Sequence, residues 1–156
     1  MAKDKSVGII PIRKDAGSLS FLLIHQLVGH WAFPKGHPNA DETEIETARR
    51  ELFEETGIPE DAYRVVDGFR YEQHYSFTKD NGEILDKEVV FFLGLVEAPV
   101  DIKILPVEVQ SFAWLPFNAC VEKLTYEDSR EMLIAAHKYI NEAPLFKRGP
   151  RELGYV

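Results

Sequence analysis

With 156 residues, 45% of them hydrophobic and 28% charged, the chain has the size and balance of one soluble globular domain able to bury a core. Its net charge of −8 argues against broad binding to a nucleic-acid backbone, which needs clustered Lys and Arg, so no stable nucleic-acid partner is expected. Cys120 stands alone, which excludes an internal disulfide and a thiolate metal site and fits a small apolar role in a reducing cytoplasm.

In chain order, residues 1–5 read as a loose polar start, and the apolar run in MAKDKSVGIIPI is too short for a signal peptide. Ser6–Ile12 is apolar and β-branched, the pattern of a buried strand. Arg13–Ser18 contains Asp-Ala-Gly-Ser, a turn. Leu19–Leu27 is a second strand, in which His25 reads better as a structural histidine than as a site residue. Trp31–His37 (WAFPKGH) is a short strand entering a loop. Pro34 fixes φ there and Gly36 permits close backbone approach.

A helix follows. Asp41 or Thr43 can be its N-cap, and Asp41 with Glu44 has capping-box spacing. Gly57 sits where a glycine would end it, and Pro59 blocks its resumption. Ile45, Ala48 and Leu52 form a stripe able to lie on a core. Beside that stripe, Glu51, Glu54 and Glu55 fall at i, i+3 and i+4, which stacks three carboxylates on one ridge. Each like-charge pair at i, i+4 destabilises a helix by roughly 0.2–0.5 kcal/mol. A divalent cation relieves that repulsion, and Mg²⁺ suits carboxylates combined with waters and substrate phosphates. The bland alternative is a solvated acidic face partly neutralised by Arg49 and Arg50.

Residues 59–62 turn. Tyr63–Phe77 is largely strand, with Tyr71, His74, Tyr75 and Phe77 clustered late, and Lys79-Asp80-Asn81-Gly82 is a strong turn signal. Lys87–Val96 is nearly continuous in apolar residues, which marks a central strand. Its run Val89–Val96 is the longest in the chain and far too short to span a membrane as a helix. Pro99–Val109 is irregular, Phe112–Leu115 is a short strand ended by Pro116, and residues 117–124 form a short helical turn. From Asp128 or Ser129 to Ile140 an amphipathic helix is predicted, with Met132, Ala135, Ala136 and Tyr139 at helical spacing. Residues 144–156 read as a tail. No linker or repeat divides the sequence, so the expectation is a single α+β domain over 1–156, core about 6–140, with flanking helices on a sheet and a monomeric state by default.

The acidic ridge has a context that overturns its bland reading. The stretch from Gly36 to Ile58 matches Gly-x5-Glu-x7-Arg-Glu-hydrophobic-x-Glu-Glu-x-Gly-hydrophobic at every fixed position: Gly36, Glu42, Arg50, Glu51, Leu52, Glu54, Glu55, Gly57 and Ile58. This resembles the Nudix box. The resemblance implies an α/β/α sandwich with a mixed central sheet, the box as a loop and helix, and a C-terminal helix. It also implies a metal-dependent hydrolase of nucleoside diphosphates linked to another group, using Mg²⁺ or Mn²⁺. The leader WAFPKGH, the stretch Lys87–Val96 and Glu108, six residues before Trp114-Leu115, resemble the asymmetrical diadenosine tetraphosphate (Ap4A) hydrolases within that family. RNA pyrophosphohydrolases carry Gln-Gly-Gly where this chain has Lys35-Gly36-His37, which lowers that alternative.

By this resemblance Glu51 and Glu55 are metal ligands, Glu54 is a ligand or the general base, and Glu108 is a further ligand or base, with a plain loop glutamate as its rival. Arg50 is expected to be structural, pairing with Glu46 and orienting Glu51, with Glu42 in a similar part or favouring the helix dipole. Gly36 and Gly57 are backbone residues of the motif. Lys35, His37 and Lys87 are candidates to bind the polyphosphate, and Lys79 a weaker one. Tyr75 and Tyr126 are candidates to stack on adenine. The implied reaction is attack of water on phosphorus, yielding ATP and AMP from Ap4A. Two other readings remain: removal of pyrophosphate from RNA 5′ ends, and a non-catalytic nucleotide sensor, which has no need of a complete carboxylate set.

Overall fold

Alternation along three apolar strands sets the architecture. In the computed structural model, which describes residues 2–143, the strands are β1 (Ala2–Asp15), β2 (Ser18–Gln26), β3 (Trp31–Ala32), β4 (Lys35–Gly36), β5 (Tyr63–Val65), β6 (Tyr71–Thr78), β7 (Ile84–Val96) and β8 (Val109–Pro116). The helices are α1 (Glu44–Thr56), α2 (Phe117–Lys123) and α3 (Glu127–Glu142), with a 3-10 turn over Glu60–Ala62. Ile10 and Ile12 on β1, Phe21 and Leu23 on β2, and Phe91 and Leu93 on β7 share a core with Cys120 of α2 and Met132, Leu133, Ala136 and Ile140 of α3. On the opposite face of the same strands, Val7, Ile9, Leu22 and Val90 share a second core with Ala48 and Leu52 of α1 and with Ile58. Strands covered by helices on both faces read as continuous apolar runs, and β1 and β7 do. The product is the expected α/β/α sandwich.

The sheet runs β3-β2-β1-β7-β5, with β4 on β1, β6 on β7 and β8 on β2. β1 and β7 are parallel, with Val7 opposite Val90, and the other pairs are antiparallel. The sheet is therefore mixed, and β7 is central as its composition predicts. The tail expected over 144–156 lies outside the described residues. Cys120 is fully buried, and burial pushes its thiol up to about 12. Among the described residues no helix is long and apolar enough to cross a membrane.

Three expectations are corrected. Residues 2–5 are not a loose start but the first part of β1, because β7 begins early enough to pair with them, Ala2 opposite Leu85. The turn at Arg13–Ser18 narrows to Ala16 and Gly17, both at positive φ (48° and 90°), the combination that joins antiparallel strands through two residues. The strand predicted over Tyr63–Phe77 is interrupted between β5 and β6. Gly68, at φ 86°, turns the chain there, Phe69 packs into the core, and the Tyr139 hydroxyl donates to the Asp67 carbonyl at 2.5 Å.

Candidate active site

Thr43, not Asp41, starts α1. Its side chain accepts from Glu46 N while the Glu46 carboxylate accepts from Thr43 N, a complete capping box; such a cap is worth about 1 kcal/mol. Asp41 instead takes φ 66° in the loop before it. At the far end Gly57 adopts φ 77° and donates to Phe53 O at 2.8 Å, the left-handed stop its sequence position predicts. Leu52 and Ala48 face the core, which turns Glu51 and Glu55 toward β4 and the β1 strand it pairs with.

There the two carboxylates meet a loop that has made room for them. A Cβ on Gly36 would lie 2.0 Å from Glu51 Cδ, so only glycine fits beside that carboxylate. Lys35 N donates to Glu55 Oε1 at 3.1 Å. Glu108 joins from the long loop after β7, held by Leu27 N donating to its carbonyl at 2.9 Å and by Lys103 N donating to Thr56 O at 2.7 Å. Glu51, Glu55 and Glu108 line one cavity of about 500 Å³, and Lys35, His37 and Lys87 line the same cavity.

The electrostatics of the cavity follow from that crowding. Glu55 is buried, and burial, with the charges of Glu51 and Glu108, pushes its carboxyl up to about 8. Glu51 is also raised, by burial first, with Arg50 opposing. Lys35 is lowered by burial and by Lys87. Hard oxygen donors that line one cavity and repel one another suit a divalent cation, which takes carboxylates together with waters and phosphate oxygens.

Arg50 organises the outer side. Its Nε and Nη2 donate to the two Glu42 oxygens at 2.7 and 3.0 Å, its Nη1 to Glu51 at 3.0 Å and to Glu54 at 3.1 Å, and Nη2 also to the His37 carbonyl at 2.8 Å. The expected partner Glu46 is absent from this network because the capping box already holds it. Glu42 takes its place, accepting also from Asn39 N and Thr47 Oγ1. Glu54 is exposed, bonds Arg50 and is not among the residues lining the cavity, so the helix ridge divides into two inward carboxylates and one outward.

Lys35 also lines a neighbouring cleft of about 570 Å³ that contains Tyr75, Tyr126, Phe77 and Phe91. Both predicted stacking residues thus face one space, next to the charged cavity. The Tyr126 hydroxyl bonds the His30 ring, 2.8 Å from Nε2, and Gln73 Nε2 ties β6 to the start of α3 through Asp128 O at 2.8 Å. Lys79 only pairs with Glu83 at its hairpin, and His25 stacks on Trp31, both as their bland readings expect. Sequence reasoning missed Asp4, Ser6 and Asn39, which also line the charged cavity. No local signal marks Asp4 and Ser6, because their partner Lys87 is far away in the chain, whereas Asn39 bonds the nearby Glu42.

A separate group, Glu72, His74 and Glu88, brings three ligand atoms within 4.8 Å of one another on the exposed β6–β7 surface. Arg70 donates to Glu72 at 2.6 Å and His74 pairs with it, so ion pairing accounts for this group.

The model of the NUDIX domain family matches residues 2–136. This chain belongs to the Nudix family. Among its Nudix relatives, bis(5′-nucleosyl)-tetraphosphatase [asymmetrical] from Rattus norvegicus is 32% identical over 149 residues, spanning 90% of this chain and 97% of that protein. The C. elegans Ap4A hydrolase binary complex superposes with a TM-score of 0.80 at 25% identity, covering 90% of this chain and 99% of that one. The Nudix domain of Shewanella oneidensis NrtR, complexed with ADP ribose, shares the fold at a TM-score of 0.71 and 17% identity. The expected Nudix pyrophosphohydrolase, on the expected Nudix sandwich, is what these matches describe.

Proposed function

We propose that this Nudix enzyme hydrolyses dinucleoside polyphosphates and cuts Ap4A asymmetrically into ATP and AMP. The observation that carries the reading is the junction at Lys35: a cavity lined by four carboxylates together with Lys35, Lys87, Arg50 and His37 opens beside a cleft bearing Tyr75 and Tyr126. A ligand with a base at one end and several phosphates beyond it matches that sequence of surfaces. The names of the rat and C. elegans relatives point the same way.

Glu51, Glu55 and Glu108 would hold the divalent cation, Mg²⁺ or Mn²⁺. When bound, such a cation supplies a more acidic water and polarises phosphate oxygens. The chain's own residues do the rest. Tyr75 and Tyr126 stack the base and set the polyphosphate's register. Lys35, Lys87 and His37 offset charge on the phosphate oxygens as the leaving group departs. A glutamate of the site accepts the proton of the water that attacks phosphorus. Arg50, bridging Glu42 and Glu51, keeps the inner carboxylate from turning outward. A monomer in the cytoplasm, acting on a small nucleotide, completes the reading. RNA 5′ ends suit it less, since the chain's −8 charge repels an extended phosphate backbone.

The test is product analysis after incubation with Ap4A and Mg²⁺, with Glu55→Gln alongside. Equal ATP and AMP from the wild type, and neither from the variant, is expected. Two molecules of ADP would overturn the cleavage position. Faster conversion of triphosphorylated RNA than of Ap4A would overturn the substrate, and undiminished turnover by Glu55→Gln would overturn the carboxylate's role.

A further inference from the structure

Asp4 belongs to no motif, yet it lines the charged cavity. A carboxylate in a pocket for polyphosphate repels the ligand unless it serves the cations beside it. Its surroundings give it that task. In the parallel pairing of β1 and β7, Asp4 lies opposite Lys87. Its Oδ2 accepts from Lys87 Nζ at 2.6 Å, and its Oδ1 lies 3.0 Å from His37 Nε2. Ser6 Oγ accepts a second bond from Lys87 Nζ at 2.7 Å. An ammonium has three N–H donors, so these two bonds leave one. The Lys87 side chain is 8% exposed and that of Asp4 28%, so the pair is shielded from the screening that makes surface ion pairs weak.

We infer that Asp4 is a positioning residue for phosphate recognition. A lysine is a flexible point charge with no direction of its own, and His37 stands on a loop. One carboxylate, fixed on the first strand, aligns both and leaves the third Lys87 N–H for a phosphate oxygen. The start of β1, which reads in the sequence as a loose polar start, is thereby part of the substrate site. This inference rests on the phosphate role proposed above for Lys87 and His37.

The experiment compares Asp4→Asn, the double variant Lys87→Met/His37→Ala, and the triple variant combining them, by steady-state kinetics with Ap4A and Mg²⁺. Asparagine keeps the shape and one oxygen of Asp4; Asp4→Ala is measured beside it, and a melting curve checks each variant's fold. Asp4→Asn is expected to raise KM about tenfold, the scale of one misaligned charge-assisted hydrogen bond, with kcat little changed. In the double-variant background the same change should add nothing, because the residues it acts through are gone. A merely structural Asp4 would instead multiply the double variant's loss, and that result overturns the inference. So does a wild-type KM in Asp4→Asn and Asp4→Ala while the double variant is impaired. A wild-type KM in the double variant would overturn the phosphate role of Lys87 and His37, and the role of Asp4 with it.

Discussion

The carboxylate of Glu51 occupies the space that any side chain at Gly36 would need: a Cβ there would lie 2.0 Å from Glu51 Cδ and 2.2 Å from Oε2. The glycine is therefore the mould for the Glu51 carboxylate, and the two are placed by different elements, a β-bridge and a helix. Gly36→Ala is expected to push Glu51 out of the cavity and lower kcat/KM for Ap4A by about 100-fold, since displacements near 1 Å have that effect. Steady-state kinetics on Gly36→Ala decide the matter; a value within a factor of two of wild type would remove the mould argument.

Arg50 spends its fork on Glu42 and still reaches Glu51, Glu54 and the His37 carbonyl. A lysine has one point of attachment and no fork. Arg50→Lys is expected to lower activity by about 10–100-fold, the usual effect of losing a partner that orients a metal ligand. Glu42→Gln should act in the same direction because it loosens the same guanidinium. Raising Mg²⁺ should recover part of the activity of both, as loosened carboxylates bind the ion more weakly. Titrating activity against Mg²⁺ checks this, and equal Mg²⁺ dependence in wild type and variants would sink it.

Much of this site is legible in the sequence because its chemistry is local. Glu51, Glu55, Arg50, Gly36 and Gly57 fall within one loop and helix, and helical spacing alone puts the carboxylates on adjacent positions. The two cores are legible as well, since consecutive apolar residues on β1 and β7 must face opposite layers. What escapes is long-range pairing. Asp4 reads as part of a loose polar start because its partner Lys87 lies 83 positions away. Arg50 reads as a partner of Glu46 because spacing favours it, but the capping box competes for Glu46 and wins. The break at 66–70 escapes because the strand composition continues through Gly68 while the backbone leaves the sheet to bury Phe69.

Stability against pH carries a signature of the carboxylate cavity. Burial, and the charges of Glu51 and Glu108, hold the Glu55 carboxyl up at about 8, against 4.5 for a free glutamate. Between these values the folded protein keeps a proton that the unfolded chain has released, so stability falls as pH rises through that window. Glu42 and Glu44 act in the opposite sense. Hydrogen bonds from Arg50 and from Arg70, respectively, hold them down at about 2, so they add stability above 4.5 that is lost as pH falls toward 2. Protein in a chelator is therefore expected to melt highest near the ordinary glutamate range and to lose stability on both sides. Glu55→Gln should flatten the alkaline side only. Added Mg²⁺ favours the charged carboxylate and should reverse that side's slope. Melting temperatures measured from pH 2 to 9 in chelator and in Mg²⁺ test this; a wild-type profile in chelator that stays level from 4.5 to 8 would count against a buried, repelled Glu55.

Tyr75 and Tyr126 differ in what their rings have besides a base. Tyr126 has its hydroxyl on the His30 ring, 2.8 Å from Nε2, and its own ring tilted against that imidazole at 4.8 Å. Tyr75 lies beside Phe77 on the open face of β6. If the cleft holds a base, the π-face matters and the hydroxyl does not, because stacking contributes about 1–3 kcal/mol per base whatever the substituent. Tyr75→Ala and Tyr126→Ala are then each expected to raise KM for Ap4A by about tenfold or more, with kcat retained, since a bound base adds the same stabilisation to substrate and transition state. Tyr126→Phe keeps the ring and should stay near wild type, losing only the His30 hydrogen bond. Should Tyr126→Phe prove as damaging as Tyr126→Ala, the hydroxyl and its histidine partner would be what the substrate reads, and the cleft would recognise a polar group rather than the face of a base.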